Sequence, residues 1–440
     1  MNPEQSGVRT RDRTDVKRII SKLAGFSVAP ALGYIAPFLA LPLIARIGTT
    51  EDWTTLGVGQ SVGLFASLLA SYGWMIVGPV RIARAKPQTH RKIIKYSLWT
   101  RGIALAGTQP IILFALLLAV PHNTILLGYL AALSLALSGL SNAWYAVGTG
   151  NPRIIVTTEA IPKLIGTLLG ATAVWATKSV IWYPCVIILF GALSVVVSTA
   201  YISGFAVTAR GPRNRTRPRV LLRYLHTHLT PTLINLTGGT YSALLIPIAA
   251  SVSPAQALIA MISIDKLFRV CRIAISTSTN ALQRWVSTGR PSTVTPRMRK
   301  ALVIHATLGI LGGVLVATAG PLATEVMFGS KLRADHVTCI LYGCALIALA
   351  LNSSLGAHVM VPLGMAKQVL VSTVLGTLIG IPLLFSLAFK FGSQGAAAAL
   401  AITEVLVTIT QCKQISHLMK SGTPDNKEST YTEPITGAQK

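Results

Sequence analysis

Long apolar segments recur along this chain, and Lys and Arg residues collect in every second gap between them. A segment of about 20 apolar residues is long enough to cross the hydrocarbon core of a bilayer. The chain has 39 Lys and Arg against 13 Asp and Glu, which gives a formal net charge of +26. Because basic gaps alternate with nearly uncharged gaps, the pattern predicts a membrane protein that crosses the bilayer many times in a fixed orientation.

The apolar segments predict twelve membrane spans. They cover about 23–46, 55–80, 102–120, 125–147, 154–176, 180–207, 225–250, 255–281, 301–320, 337–357, 369–388 and 394–413. If the N-terminus is cytoplasmic, the outer gaps hold only four cations, which are Lys178, Lys331, Arg333 and Lys390. The remaining loop cations then lie on the cytoplasmic side, as the positive-inside rule requires. We expect an all-α polytopic protein of the bacterial plasma membrane with both termini in the cytoplasm.

The charge pattern also predicts the domain organisation. The expected units are a basic cytoplasmic N-terminus (1–22), a six-helix bundle (23–207), a basic cytoplasmic linker (208–223), a second six-helix bundle (224–413) and a disordered cytoplasmic tail (414–440). Spans two and eight are each followed by a basic, proline-containing segment that runs into an apolar helix. This similarity predicts an internal repeat of six spans, although chance similarity between two basic segments also explains it. Two parallel repeats of this kind usually enclose a central cavity in which a substrate binds.

Several function classes lack their sequence signatures. No GxxxxGK[ST] motif is present, so the chain has no ATPase site of its own, and no nucleophile–base arrangement indicates an enzyme. The five cysteines show no CxxC or Cys/His spacing, so we expect no metal site and no cofactor. Because topology accounts for the basic residues, a nucleic-acid partner is not expected.

Span eight carries the densest group of charges within an apolar segment. Asp265, Arg269 and Arg272 follow one another at i, i+4 and i+7, which places them on one face of a helix. Lys266 points about 100° away, but its long side chain can reach the same space. Such a face predicts a cavity-lining site for a doubly charged anion, since arginine suits phosphate oxygens. The alternative is an Asp265–Arg269 pair that only ties helices together.

Charges in other spans are further candidates. Glu159 and Lys163 in span five are spaced i, i+4, so they either form a structural pair or handle substrate or protons. Glu404 in span twelve is either a carrier of H⁺ or Na⁺ or an interhelical hydrogen-bond partner. Arg46 lies near the outer end of span one, where cations are rare, and is a further candidate for the substrate site.

Four stretches resemble segments of a known family. They are GFSVAPALGYIAPFLALPLIARIGT in span one, SYGWMIVGPVRIARA at the end of span two, SNAWYAVGTGNPRI at the exit of span four and SIDKLFRVCRIAIS in span eight. Their order and the twelve-span layout resemble the polysaccharide and O-antigen flippases of the Wzx type. These belong to the multidrug/oligosaccharidyl-lipid/polysaccharide exporter superfamily, and the resemblance covers about residues 20–413.

The resemblance implies a function. Such proteins move undecaprenyl-pyrophosphate-linked oligosaccharide from the inner to the outer leaflet by alternating access coupled to an ion gradient. By this analogy Lys266, Arg269 and Arg272 bind the pyrophosphate, and Lys163 completes the ring. The implied partners are membrane lipid, the lipid-linked glycan, a polysaccharide polymerase and glycosyltransferases. A multidrug or metabolite antiporter of the same fold is the main alternative, and a polymerase or ligase acting on lipid-linked sugars is another. A scaffold without transport would leave the charged stripe in span eight unexplained.

Overall fold

Most of the described part of the chain is helical. The computed structural model describes residues 38, 40–207, 218–287 and 291–420. Its helices are α1 (40–47), α2 (Thr50–Ala70), α3 (Trp74–Arg84), α4 (Pro87–Ala119), α5 (Ile125–Ala136), α6 (Ala143–Thr149), α7 (Arg153–Ile155), α8 (Ile161–Thr177), α9 (Trp182–Val207), α10 (Pro218–Ala250), α11 (Ile259–Ser287), α12 (Pro291–Phe328), α13 (His336–Ser354) and α14 (Ala366–Lys420). The predicted N-terminal segment 1–22, most of span one and most of the linker 208–223 lie outside the described residues.

The helices account for the predicted spans. In the described residues, eight helical runs are long and apolar enough to cross a membrane. The last run, Ala366–Met419, contains two spans because the chain turns at Gly392, whose φ is 54°. The helices α10 and α11 supply spans seven and eight, and α1 is the described end of span one. The all-α membrane fold predicted from the sequence is therefore confirmed, and the helices of the described residues are roughly consistent with twelve spans.

Two predicted basic loops are in fact helical. The helix α4 begins at Pro87 and α12 begins at Pro291, so the basic segments after spans two and eight form the first turns of these two helices. Proline is well placed at a first helical position, and Lys and Arg are good helix formers. We call the end of the molecule that holds these two helix starts the basic end. The helix α14 also continues to Lys420, past the predicted boundary at 413.

Several helices are interrupted where the sequence analysis expected continuous spans. Tyr72 and Gly73 separate α2 from α3, with φ angles of 46° and 69°. A 3₁₀ turn, Leu137–Leu140, precedes the break between α5 and α6, while π-helical turns cover Val156–Ala160 and Leu355–Met360. Such turns are frequent at functional sites because they release backbone groups from the regular hydrogen-bond ladder.

Small residues allow the helices of each bundle to approach closely. A Cβ added at Gly63 of α2 would lie 2.2 Å from the carbonyl oxygen of Ala132 in α5, and one at Gly59 would lie 2.4 Å from that of Gly128. Lipid provides no hydrophobic force between helices, so association depends on such close packing. The core of the first bundle therefore requires glycine on this face of α2.

The close packing at Gly63 predicts a difference between two glycine substitutions. Gly63→Ala should lower the thermal stability of the purified protein, because the added methyl group would meet backbone that cannot yield. Gly102→Ala in α4 is the matched control, since a Cβ there meets nothing within 4 Å, and it should stabilise by about 0.5 kcal/mol. Thermal unfolding in detergent measures both. Equal melting temperatures for the two variants would contradict the packing described here.

Candidate functional site

The helices α2 and α11 join the two bundles away from the basic end. The indole Nε1 of Trp53 donates to Oγ of Ser263 at 3.2 Å, and the Trp53 ring lies 4.9 Å from that of Phe328. Gly57 lies against Ile262, whose Cγ2 would be 2.6 Å from an added Cβ. This apolar layer closes the interface between the bundles at the end opposite the basic end.

The charged residues predicted in span eight lie on α11, next to this layer and on its side toward the basic end. Nε of Arg269 lies 2.5 Å from Oδ2 of Asp265. Arg269 also donates from Nη2 to Oγ of Ser61 at 3.2 Å, and the Lys266 ammonium donates to Oε1 of Gln60. The side chain of Asp265 is 5% exposed, whereas that of Arg269 is 28% exposed. Two cations of the second bundle are thus held by polar side chains of the first, and one of them keeps accessible surface.

Arg272 lies further along the same helix and faces a different partner. The carboxylate of Glu404 in α14 accepts a hydrogen bond from Nδ2 of Asn352 in α13 at 2.6 Å. The same carboxylate interacts electrostatically with Arg272. Asp265 and Glu404 therefore each lie beside one arginine of α11. This arrangement places Glu404 in an interhelical hydrogen bond, which was one of the two alternatives for this residue.

Glu159 in the first bundle stabilises the break between α5 and α6. Its carboxylate accepts from Oγ of Ser141 at 2.8 Å and from the backbone N of Asn142 at 2.9 Å, at the junction between α5 and α6. Arg101 donates to the Ser141 carbonyl at 2.5 Å and to Oδ1 of Asn142 at 2.9 Å. Glu159 also interacts electrostatically with Arg101 and Lys163. The residues form a buried network that satisfies the polar groups exposed by the helix break.

The predicted span boundaries put Arg101 in the cytoplasmic gap between spans two and three, and this was wrong. Arg101 is only 1% exposed and lies inside α4. Gln60 and Ser61, which hold the cations of α11, were not predicted as site residues. One signal was present, because Gln60 is the only amide side chain in the apolar stretch 55–80.

The other two predicted substrate ligands lie on helices of the first bundle. Arg46 is exposed at the end of α1, and Lys163 is half-buried on α8, where its charge interacts with Glu159. No group of three or more His, Cys, Asp or Glu side chains that could hold a metal ion occurs in the part of the chain that the structure describes. The observed cluster therefore consists of Asp265, Lys266 and Arg269 with Gln60 and Ser61.

A second contact layer joins the bundles at the basic end. The guanidinium of Arg81 in α3 lies 4.5 Å from the ring centroid of Tyr224 in α10, and its Nη1 lies 3.2 Å from Nε2 of His228. The Trp74 ring stacks on His228 at 4.5 Å, and the hydroxyl of Tyr72 donates to the carbonyl of Leu225 at 3.1 Å. The charged cluster on α11 therefore lies between two layers of inter-bundle contact, one toward each end.

Comparison with known proteins agrees with this architecture. No protein-family model matches the chain. A curated protein of Shigella dysenteriae named "Putative O-antigen transporter" is 20% identical over 397 residues, covering 87% of this chain and 96% of the relative.

Two solved structures share the fold. The lipid II flippase MurJ in an inward closed conformation matches with a TM-score of 0.70 at 12% identity, covering 89% of this chain and 87% of MurJ. The eukaryotic MATE transporter AtDTX14 matches with a TM-score of 0.60 at 16% identity, covering 91% and 96% of the two chains. The resemblance to flippases and exporters that the sequence predicted is therefore confirmed, and the fold is that of MurJ and the MATE transporters.

Proposed function

We propose that the protein is a flippase that moves an undecaprenyl-pyrophosphate-linked oligosaccharide from the inner to the outer leaflet of a bacterial plasma membrane. The observation that carries the proposal is the pair of cations, Lys266 and Arg269, held at the interface between the two bundles. The similarity to a curated O-antigen transporter and to the MurJ fold supports the same substrate class.

The cluster has the chemistry that a diphosphate needs. Lys266 and Arg269 supply two positive charges, and Asp265 supplies one negative charge that orients the guanidinium. The planar guanidinium can donate two parallel hydrogen bonds to phosphate oxygens, and such charge-assisted bonds are short and strong. The hydroxyl of Ser61 and the amide of Gln60 can rebind to the phosphate as the cations turn toward it. The prenyl chain would remain in lipid while the sugar occupies the space between the bundles.

The two contact layers support alternating access. The layer at Trp53 and Ser263 and the layer at Arg81 and Tyr224 lie on opposite sides of the charged cluster. Opening one layer at a time would expose the cluster to one leaflet only, as in other transporters built from two repeats. The positive-inside rule places the basic end, and both termini, in the cytoplasm. The substrate would enter at the basic end and leave past Trp53.

The fold is shared with MATE transporters, so a drug antiporter is the alternative to weigh. A cationic drug at this interface would meet Lys266 and Arg269, while the only nearby carboxylate, among the described residues, is already bound to Arg269. Two like charges about 4 Å apart repel by about 4 kcal/mol at an effective dielectric constant near 20. The charges of the cluster therefore favour an anionic substrate.

Deletion of the protein from its host tests the proposed function. We expect the lipid-linked oligosaccharide to accumulate in the inner leaflet, where a membrane-impermeant lectin reaches it only after the cells are opened. Re-expression should restore lectin labelling on intact cells. The matched readout is survival in cationic dyes, which should be unchanged by the deletion. Normal surface labelling together with dye sensitivity would overturn the proposal and favour the antiporter.

Glycosyltransferases that build the glycan and a polymerase that extends it are the expected partners.

A further inference from the structure

A buried hydroxyl without a partner lies beside the charged cluster of α11. Tyr342 on α13 is 0% exposed, and its hydroxyl makes no hydrogen bond to any of the described residues. Such a group destabilises the state in which it occurs, because it has given up its hydrogen bonds to water and gained none in the protein. Most buried hydroxyls in folded proteins are paired, so this one needs a physical reason.

Helix packing places Tyr342 against the charged face of α11. The rings of Phe268 and Tyr342 meet edge to face, with their centroids 5.2 Å apart and an angle of 79° between their planes. Phe268 follows Asp265 by three residues, and Arg269 follows it by four, so the three side chains share one side of α11. The phenol of Tyr342 interacts electrostatically with both Asp265 and Arg269. Its hydroxyl therefore lies near both members of the ion pair.

Close packing of α13 fixes the position of the phenol. At Gly343, the next residue, an added Cβ would lie 2.5 Å from the carbonyl oxygen of Gly313 in α12. One turn earlier, a Cβ added at Gly320 of α12 would lie 2.9 Å from Sγ of Cys339 and 3.0 Å from Cδ1 of Ile264 in α11. Such contacts hold α11, α12 and α13 together. The phenol therefore keeps its place beside the ion pair when single side chains turn.

The carboxylate of Asp265 needs a new donor when its arginine turns to a ligand. Nε of Arg269 lies 2.5 Å from Oδ2 of Asp265, and the Asp265 side chain is only 5% exposed. A guanidinium that turns toward a diphosphate gives up this contact. A buried carboxylate that loses its partner is strongly destabilised, because neither water nor a cation then compensates its charge. A phenol O–H can donate to a carboxylate, and Tyr342 carries one at this place.

We propose that Tyr342 is a positioning residue whose hydroxyl donates to Asp265 when Arg269 turns to bind the diphosphate. The hydroxyl is without a partner while the ion pair is closed, and it gains one when the pair opens. Its hydrogen bond therefore stabilises only the substrate-bound arrangement, and Tyr342 raises the affinity for substrate without touching it. This inference rests on the proposed function, since the diphosphate is the group that draws the guanidinium away from Asp265.

Two substitutions test the exchange of partners without any substrate. Tyr342→Phe keeps the ring and removes only the unpartnered hydroxyl, so it should raise the melting temperature of the detergent-purified protein. Arg269→Met removes every donor at that position and leaves Asp265 to the phenol. In that background Tyr342→Phe should lower the melting temperature, because the two side chains then act on the same carboxylate. An effect of the same sign in both backgrounds would overturn the proposal.

Tyr241 provides the matched control for this cycle. It is a buried tyrosine of the same bundle, and its hydroxyl already accepts a hydrogen bond from Oγ1 of Thr403 at 3.1 Å. Tyr241→Phe should therefore lower the melting temperature by the same amount with and without Arg269→Met. If its effect changed sign as well, the change would come from a general loosening of the bundle, and the assignment to Tyr342 would be refuted.

Binding of undecaprenyl diphosphate links the exchange to the proposed site and needs no substitution of Arg269. Native mass spectrometry of the protein titrated with this lipid measures the affinity. Tyr342→Phe should weaken binding about tenfold, the effect of losing a hydrogen bond to a charged group, although the same variant is more stable without ligand. Undecaprenol, which lacks the diphosphate, is the control ligand and should bind both proteins equally.

The opposite signs of the two effects separate a positioning role from a structural one. A tyrosine that only filled space would change stability and binding in the same direction, or neither. Unchanged affinity for undecaprenyl diphosphate in Tyr342→Phe would refute the proposal. If the unaltered protein did not bind this lipid, the proposed function would fail instead, and the melting temperatures measured without substrate would then decide whether Tyr342 replaces Arg269 at Asp265.

Discussion

Replacing Arg269 with alanine is expected to abolish export of the lipid-linked glycan while the amount of protein in the membrane stays normal. The side chain joins Asp265 to Ser61 across the bundle interface and keeps accessible surface for a ligand. Its loss removes the bidentate phosphate donor and leaves the carboxylate of Asp265 facing the anion. Truncating one member of a buried charge pair costs about 3 kcal/mol, which lowers diphosphate affinity about 100-fold. Surface glycan labelling and quantitative immunoblotting measure the two quantities.

Two comparison variants and a stability measurement make this result specific. Arg269→Lys keeps the charge but loses the planar fork, so export should be partly retained. Arg299→Ala removes an exposed arginine at the start of α12 and should leave export unchanged. If the Asp265–Arg269 pair only tied helices together, Arg269→Ala would lower the melting temperature and the protein level, and export per molecule would be normal. That outcome would remove Arg269 from the proposed site.

The number and type of the helices could be predicted because the bilayer imposes a length and a composition on every span. Helix boundaries within polar segments could not. The basic stretch that begins at Pro87 has no apolar periodicity, so it was interpreted as a loop, although its lysines and arginines favour a helix. The breaks at Tyr72 and at Ser141 were also missed, since the residues that stabilise each break come from other helices.

The candidate site was predictable in so far as it lies on one helix. The spacing of Asp265, Arg269 and Arg272 places them on one face whatever the tertiary structure. Ser61, which accepts from Arg269, and Gln60, which accepts from Lys266, lie about two hundred residues away in the chain, and only helix packing brings them close. Local spacing thus finds charges, whereas their pairing follows from the fold.

Arg101 shows most clearly how neighbouring residues in the sequence can mislead, and its replacement should have the largest effect on stability. Arg101→Met would leave the carbonyl of Ser141 and Oδ1 of Asn142 without their donors, and Glu159 without a nearby positive charge. Each buried acceptor that loses its partner costs about 1–3 kcal/mol, so we expect a loss of about 3 kcal/mol or more. Thermal unfolding of the detergent-purified protein, followed by size-exclusion chromatography, measures the loss.

The matched control is Arg91→Met, which changes an exposed arginine earlier in the same helix and should leave the melting temperature unchanged. Arg101→Met combined with Glu159→Gln should lose less stability than the sum of the two single variants, because both act on one hydrogen-bond network. A melting temperature for Arg101→Met equal to that of Arg91→Met would show that the break between α5 and α6 does not depend on this arginine. The observed network favours the opposite result, since Arg101 reaches both residues of the break and Glu159 contacts the same two residues.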